Sequence, residues 1–168
     1  VEGVSGAGYS RPVPIDASHH TSDFSSGNDA LDDWLKTTAL RAEGRSTRTY
    51  VVCEGQGVVG YYCLATGSVA RDAAPGRIRR NAPDPVPVMI VGRLAVTARC
   101  RGQGIGGGML RDAFQRVLQV AETVGCRAIL VHAVDQAAVD FYAGHGFVEY
   151  PGGARTLFLP LETLQRAL

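Results

Sequence analysis

Between Pro87 and Val124 the chain reads as a long apolar run, a glycine-rich turn and an amphipathic helix, and this succession constrains the fold more than any other segment. Pro87 to Val96 is apolar almost throughout, broken only by Gly92-Arg93, the pattern of a strand buried on both faces at the centre of a sheet. Thr97 to Arg101 follow, and then Gly102, Gly104, Gly106, Gly107 and Gly108 crowd one turn. Leu110, Ala113, Phe114, Val117, Ala121 and Val124 form a single stripe, with Arg111, Asp112, Gln115, Arg116 and Gln119 facing away. Gly125 closes the predicted helix.

Strand, glycine turn and helix together suit an anion. Glycines let backbone N–H groups converge on phosphate oxygens, and the positive end of the helix dipole favours the negative charge. Several readings compete at this turn. Residues 102–107 match G-x-G-x-x-G. The dinucleotide fingerprint, however, wants its first glycine at the strand end, in a βαβ unit closing on an acidic residue. Here Thr97 to Arg101 intervene, and the unit lies behind a predicted antiparallel hairpin. A Walker A loop is excluded, because no Lys-Ser or Lys-Thr follows the glycines. A plain tight turn is a second reading; R-x-x-G-x-G, met by Arg101, Gly104 and Gly106, is the third.

Upstream, Tyr9 to Ile15 alternates around two prolines like a short edge strand. Ser26-Gly-Asn-Asp29 is a helix start of the Ser-x-x-acid kind. Leu31, Trp34, Leu35, Thr38 and Ala42 recur at helical spacing, which predicts an amphipathic helix over 29–43 closed by Gly44. Arg48 to Glu54 and Val58 to Val69 flank Gly55-Gln-Gly57 as a hairpin, and residues 70–85 read as a loop with at most a helical turn. Downstream, Arg127 to Ala133 is another buried strand. Asp135 caps a short helix running to His145, with Gly146 behind it. Phe147 to Tyr150 and Thr156 to Leu159 pair around Pro151-Gly152-Gly153. The order β-α-β-β-β-α-β-α-β-β is that of one mixed α/β domain over residues 1–168, without repeat or linker.

Apolar residues at 45% and charged residues at 20% argue against extensive disorder. No run approaches the roughly 20 apolar residues that span a bilayer, so no membrane association is expected. Val1 to Pro14 lacks a basic segment followed by an apolar one, so no signal peptide is expected and the cytoplasm is the predicted compartment. Cys53, Cys63, Cys100 and Cys126 lie far apart, with no Cys/His spacing for zinc; free thiols and no metal are expected. A net charge of +1 gives no global pull towards nucleic acid. Yet Lys36 is the one lysine, and Arg41, Arg45 and Arg48 cluster, as do Arg71, Arg77, Arg79 and Arg80. Such clusters can bind phosphate bidentately.

From about Arg48 to Leu159, the long strand, R-x-x-G-x-G, long helix, strand and short helix lead into Phe141-Tyr142-Ala-Gly-His-Gly146-Phe147. This stretch resembles the GCN5-related N-acetyltransferase (GNAT) superfamily. The resemblance implies the GNAT fold, an α/β (α+β) domain with a single mixed sheet of six to seven strands flanked by about four helices. It implies acetyl-CoA as cofactor, its pyrophosphate held by Arg101, Gly102, Gln103, Gly104, Ile105, Gly106 and Gly107. The pantetheine arm would lie along the backbone of Leu94, Ala95 and Val96. Tyr142 would be the catalytic proton donor. Direct acetyl transfer needs an unprotonated amine, a donor for the oxyanion and a proton for the departing thiolate. A tyrosine, with a reference pKa of about 10, stays protonated at neutral pH and can donate to sulfur. A backbone N–H near Val96 would polarise the carbonyl. The helical spacing of Ala138, Phe141 and Tyr142 equally suits a packing tyrosine.

Phe24-Ser-Ser-Gly27, Leu31-Asp-Asp-Trp34-Leu35, Arg48-Thr-Tyr-Val51, Gly60-Tyr-Tyr62, Gly92-Arg-Leu-Ala-Val96 and Leu130-Val-His-Ala133 narrow the resemblance to one branch. They are similar to the acetyltransferase toxins of toxin–antitoxin pairs. That branch implies an N-acetyltransferase toxin acting on the α-amino group of aminoacyl-tRNA, blocking translation. It also implies neutralisation by a ribbon-helix-helix antitoxin, and a homodimer. It gives Lys36, Arg41, Arg45, Arg48, Arg77, Arg80 and Arg93 a role along the tRNA. The branch commonly ends its central strand L-A-V-D, and Thr97 departs from that. An α-amine has a reference pKa of about 7.7–8.0 against about 10.4 for lysine, so a missing carboxylate base leans towards an α-amino acceptor. The competing expectations are an acetyltransferase for a small-molecule amine or a protein N-terminus, and a non-catalytic coenzyme A-binding module.

Overall fold

The structure, a computed structural model, describes residues 8–150 and 153–167. The stretch before Gly8, read above for an export signal, lies outside these, as does Pro151-Gly152 of the expected terminal turn. Among the described residues seven strands are hydrogen-bonded in the order β1-β2-β3-β4-β5-β7-β6. They are β1 (Val13–Pro14), β2 (Arg48–Glu54), β3 (Gly57–Val69), β4 (Val86–Val96), β5 (Ala128–His132), β6 (Val148–Glu149) and β7 (Thr156–Pro160). The mixed α/β expectation holds, and the seven strands follow the predicted order. Among the described residues six α-helices stand where about four were expected: α1 (Asp29–Thr37), α2 (Ala39–Ala42), α3 (Gly76–Arg79), α4 (Ile105–Ala121), α5 (Gln136–Gly144) and α6 (Leu161–Ala167). Of these, α2 is the far end of the predicted helix over 29–43, α3 is the helical turn allowed within residues 70–85, and α6 is too short for its periodicity to stand out. Among the described residues no helix is long and apolar enough to cross a membrane.

The chain divides into two compact units. The first holds the described residues up to Leu64 together with Arg93–Ala113. Here β1 pairs antiparallel with β2, Val13 opposite Val51, and its Pro14 suits an edge that needs few donors. β2 turns into β3 through Gly55, at φ +62°, and the strands pair Val51 with Tyr61 and Thr49 with Cys63. Against them Leu35, Ala39, Phe24 and Ile15 close the first core, with Leu31 and Trp34 packed at its margin.

The first helix differs from its prediction at both ends. Ser26 does not cap it. Its N–H and Oγ both donate to Asp32, a carboxylate only 7% exposed, while Asn28 accepts from Leu31 N–H as the N-cap. The predicted single helix over 29–43 breaks at Thr38, whose φ of −120° separates α1 from α2.

The second unit holds Ala65–Gly92 and the described residues from Phe114 onward. β4 lies parallel to β5, Val88 opposite Ala128 and Val91 opposite Val131, and β7 closes antiparallel on β5 and β6. Ile78, Val86, Val88, Leu130 and Phe158 form its core. β4 is buried as predicted only in its first half; Gly92 is exposed and Leu94 and Val96 are half-buried. α4 ends at Ala121, short of the predicted boundary, and leaves Val124 56% exposed rather than in the stripe. Asp135 caps α5 through Ala138 N–H, as predicted, and Gly146 follows at φ +96°.

Candidate functional site

The glycine turn belongs to the first unit. After β4, Thr97 starts a short 3-10 turn, Ala98–Cys100, that sets the approach to the loop. Gly102 and Gly104 adopt φ of +77° and +81°, a region costly for other residues. A Cβ at either would meet nothing within 4 Å, so backbone conformation rather than packing requires glycine there. The first bond along α4 runs from Gly108 N–H to Gly104 C=O. The N–H groups of Ile105, Gly106 and Gly107 therefore precede it, as the donors left over in a helix's first turn.

Ile105 anchors this end. It is fully buried, and a Cβ on Gly60 would stand 3.1 Å from both its Cγ2 and Met109 Cε, so Gly60 lets the helix start close to β3. Gln103 accepts from the Tyr9 hydroxyl at 2.8 Å. Arg101 is exposed, but its guanidinium also donates to Ser26 C=O, beside Gly27 at φ +89°. One of its donors is thus committed to protein. Leu94, Ala95 and Val96 lead into this loop along the half-exposed end of β4.

Thr97, the departure noted above, is 4% exposed and wholly structural. Its N–H donates to Val59 C=O at 2.8 Å, and its hydroxyl both accepts from Ser25 N–H and donates to Ser25 C=O.

Arg93 lies with its guanidinium 4.2 Å from the Trp34 ring centroid, and Trp34 stacks on Tyr61 at 6.0 Å. Tyr61 donates to Leu31 C=O at 2.6 Å, and burial holds its phenol above the usual range. Asp112, expected to face away, instead receives the hydroxyl of buried Tyr62. Period counting misses this pair because it assigns a face but not a partner fifty residues distant in sequence.

Tyr142 lies in the second unit, 6% exposed on α5. Its ring meets Phe141 edge-on at 5.3 Å and Phe147 at 5.4 Å, so the packing expectation is met. Burial also pushes its pKa up to about 12, which keeps the phenol protonated throughout the neutral range. Among the described residues nothing hydrogen-bonds its hydroxyl, and only Thr47 Oγ1 is a sealed side-chain polar atom without a partner. The proton is therefore available to a ligand.

The remaining basic candidates fall into two groups. Lys36, Arg41, Arg45 and Arg48 are exposed in the first unit; Arg41 Nε donates to Thr37 C=O at 3.0 Å, and Arg48 pairs with Glu43 at 3.4 Å. Arg77 and Arg80 belong to the second unit, beside Arg127 and Arg166, which no sequence pattern linked to them. The four cysteines are free; burial holds the Cys53 and Cys63 thiols at about 11. Among the described residues no group of His, Cys, Asp and Glu could hold a metal.

A profile of the acetyltransferase (GNAT) domain matches residues 45–149. The chain is 48% identical over 143 residues to a tRNA-acetylating toxin of Mycobacterium tuberculosis, covering 84% of this chain and 86% of that one. Its structure is similar to that of AtaT complexed with acetyl-methionyl-tRNAfMet, with a TM-score of 0.86 and 27% identity over 93% of this chain and 97% of that one. It is also similar to a variant AtaT toxin bound to the C-terminus of the antitoxin AtaR and acetyl-CoA, with a TM-score of 0.83 and 25% identity over 95% and 98% of the two chains.

Proposed function

We infer, because this chain belongs to the acetyltransferase (GNAT) family, that it transfers an acetyl group from acetyl-CoA to the α-amino group of an aminoacyl-tRNA and so blocks translation until a cognate antitoxin neutralises it. The observation that carries the acceptor is the near-half identity to a tRNA-acetylating toxin along most of the chain. The donor side rests on the glycine turn. Two left-handed glycines, and three N–H groups ahead of the first helical bond, suit a pyrophosphate.

In this reading Arg101, Gly102, Gln103, Gly104, Ile105, Gly106 and Gly107 hold the pyrophosphate, chiefly through backbone N–H groups. Leu94, Ala95 and Val96 offer the strand backbone to the pantetheine arm. Bound acetyl-CoA supplies an acetyl group activated as a thioester. Tyr142 delivers its proton to the departing sulfur and is restored by the proton that the acylated nitrogen sheds; its elevated pKa keeps the phenol protonated until the transfer. Thr97 supplies no base, being buried and bonded to Ser25. An α-amine, with a reference pKa of about 7.7–8.0, loses its proton to water near neutrality without one.

Lys36, Arg41, Arg45, Arg48, Arg77 and Arg80 offer exposed cations to the RNA; Arg93 acts by holding Trp34. The same reading includes a ribbon-helix-helix antitoxin, a homodimer, a cytoplasmic location and no metal. It takes residues 1–168 as one acetyltransferase domain, supported by β3, β4 and α4 each running through both units.

Incubation with labelled acetyl-CoA and either charged or deacylated tRNA tests the reading. Label is expected on charged tRNA alone. None there, with transfer to small amines or protein N-termini instead, would overturn the acceptor while leaving the acetyltransferase intact.

A further inference from the structure

In the second unit, α3, the start of β5 and α6 enclose an open cavity of about 650 Å3, lined by Arg77, Arg80, Arg127 and Arg166. One carboxylate, Glu162, lies among these four guanidinium groups, 3.9 Å from Arg166 on the same helix. Both members of that pair are well exposed, so it neutralises little.

The cluster is built rather than incidental. Arg127 is half-buried and donates to Arg80 C=O at 2.9 Å and Asn81 C=O at 3.2 Å, which fixes its guanidinium beside the end of α3. Its own carbonyl accepts from Leu161 N–H at 2.9 Å, tying the start of α6 to the same residue. Arg77 reaches Thr163 of α6 at 3.4 Å. Gathering like charges around a concavity is unfavourable unless an anion occupies it, and arginine forks match phosphate oxygens. The volume is in the size class of pockets that take whole small ligands, ample for more than one phosphate.

We propose that this cavity seats consecutive backbone phosphates of the RNA substrate, with Arg127 and Arg166 joining Arg77 and Arg80 as its ligands. The inference rests on the aminoacyl-tRNA reading above and names where that reading places the backbone. A-form RNA is recognised largely through phosphate and 2′-hydroxyl contacts, so such a seat fixes the position of the acceptor without reading its sequence.

Arg80→Gln with Arg166→Gln is the informative double variant. Both side chains are exposed, Arg80 bonds to the fold through its backbone N–H and carbonyl, and neither change disturbs Arg127. KM for charged tRNA should rise about tenfold or more, with the slope of log affinity against log salt shallower by about two. The affinity for acetyl-CoA and the kcat at saturating tRNA should be retained. Arg11→Gln, which removes an exposed arginine elsewhere, should leave the salt slope as it is.

An unchanged slope in the double variant, with a wild-type protein that acetylates charged tRNA, overturns this seat and spares the function. A wild-type protein inactive on charged tRNA overturns both. Inorganic pyrophosphate, added with acetyl-CoA at saturation so that the glycine turn is filled, is the small-anion probe. If it binds the wild type and not the double variant while the tRNA salt slope is unchanged, the cavity belongs to a small anion and the RNA seat is overturned.

Discussion

The hydroxyl of Thr97 grips Ser25 from both sides, accepting from its N–H at 3.0 Å and donating to its C=O at 3.2 Å. Only a side chain that is donor and acceptor at once can do this. Thr97→Asp supplies acceptors but, when ionised, no donor, and puts a charge where the native side chain is 4% exposed. It should lose about 2–3 kcal/mol or more, through the stranded Ser25 carbonyl and the buried charge. Thr97→Ser should stay within about 1 kcal/mol of the wild type, having kept the hydroxyl. Urea unfolding of the two variants decides. If the Asp variant is as stable as the wild type, the double hydrogen bond has no structural weight.

Tyr142→Phe should fold, since the hydroxyl has no partner among the described residues. It should bind acetyl-CoA as tightly as the wild type, while turnover falls by about 10²–10⁴, the range for a positioned acid. Calorimetric binding alongside steady-state rates checks this. Undiminished turnover would return Tyr142 to the packing role that its contacts with Phe141 and Phe147 also fit.

The same residue predicts how stability varies with pH. Its folded pKa, about 12, lies above the ordinary value of 10.0 because burial penalises the phenolate. Its contribution is fully present below pH ~10 and is lost as pH rises towards ~12, because the unfolded chain releases the proton first. The loss is on the order of 2–3 kcal/mol. The stability of the wild type relative to Tyr142→Phe should be constant to about pH 10 and then fall by that amount. A difference that stays constant up to about pH 12 would show that Tyr142 is not buried to this degree.

The strand, turn and helix around the proposed donor site were legible because their signals are local. A run of apolar residues, a cluster of glycines and a stripe at helical spacing all follow from the conformation of neighbouring residues. The failures share a cause. Ser26 looks like a cap until Asp32, one turn into the helix, captures it. Asp112 looks solvated until Tyr62 arrives from another strand. In each case a polar side chain had a local option, and a tertiary partner far along the sequence decided otherwise.

Gly104 and Gly55 separate turn-making from ligand-holding. Both have positive φ, +81° and +62°, and open space where a Cβ would stand. Gly104→Ala and Gly55→Ala should therefore each cost about 1–2 kcal/mol of stability. Only Gly104→Ala should weaken acetyl-CoA, by about tenfold or more, equivalent to at least ~1.4 kcal/mol, because it disturbs the donors at the start of α4. Calorimetric titration of both variants is the test. Equal affinity in the two would leave Gly104 as a turn residue and move the pyrophosphate elsewhere.

Arg41 and Arg45 offer the cleanest test of the RNA surface in the first unit. Both are exposed; the Arg41 side chain donates from Nε to Thr37 C=O, which leaves its terminal nitrogens uncommitted at the end of α2. Arg48 is a poorer choice, because it also pairs with Glu43, whose other oxygen accepts from Thr49 N–H at 2.7 Å, and its loss would perturb the start of β2. Replacing Arg41 and Arg45 by Gln should leave thermal unfolding within about 0.5 kcal/mol of the wild type. Every phosphate left without its arginine should flatten the salt dependence of tRNA affinity by about one in the log–log slope and raise KM at physiological salt, without lowering kcat. Measuring KM for charged tRNA across a salt series reads both effects. A slope identical to the wild type would remove this helix end from the RNA path, whatever the double variant at Arg80 and Arg166 shows.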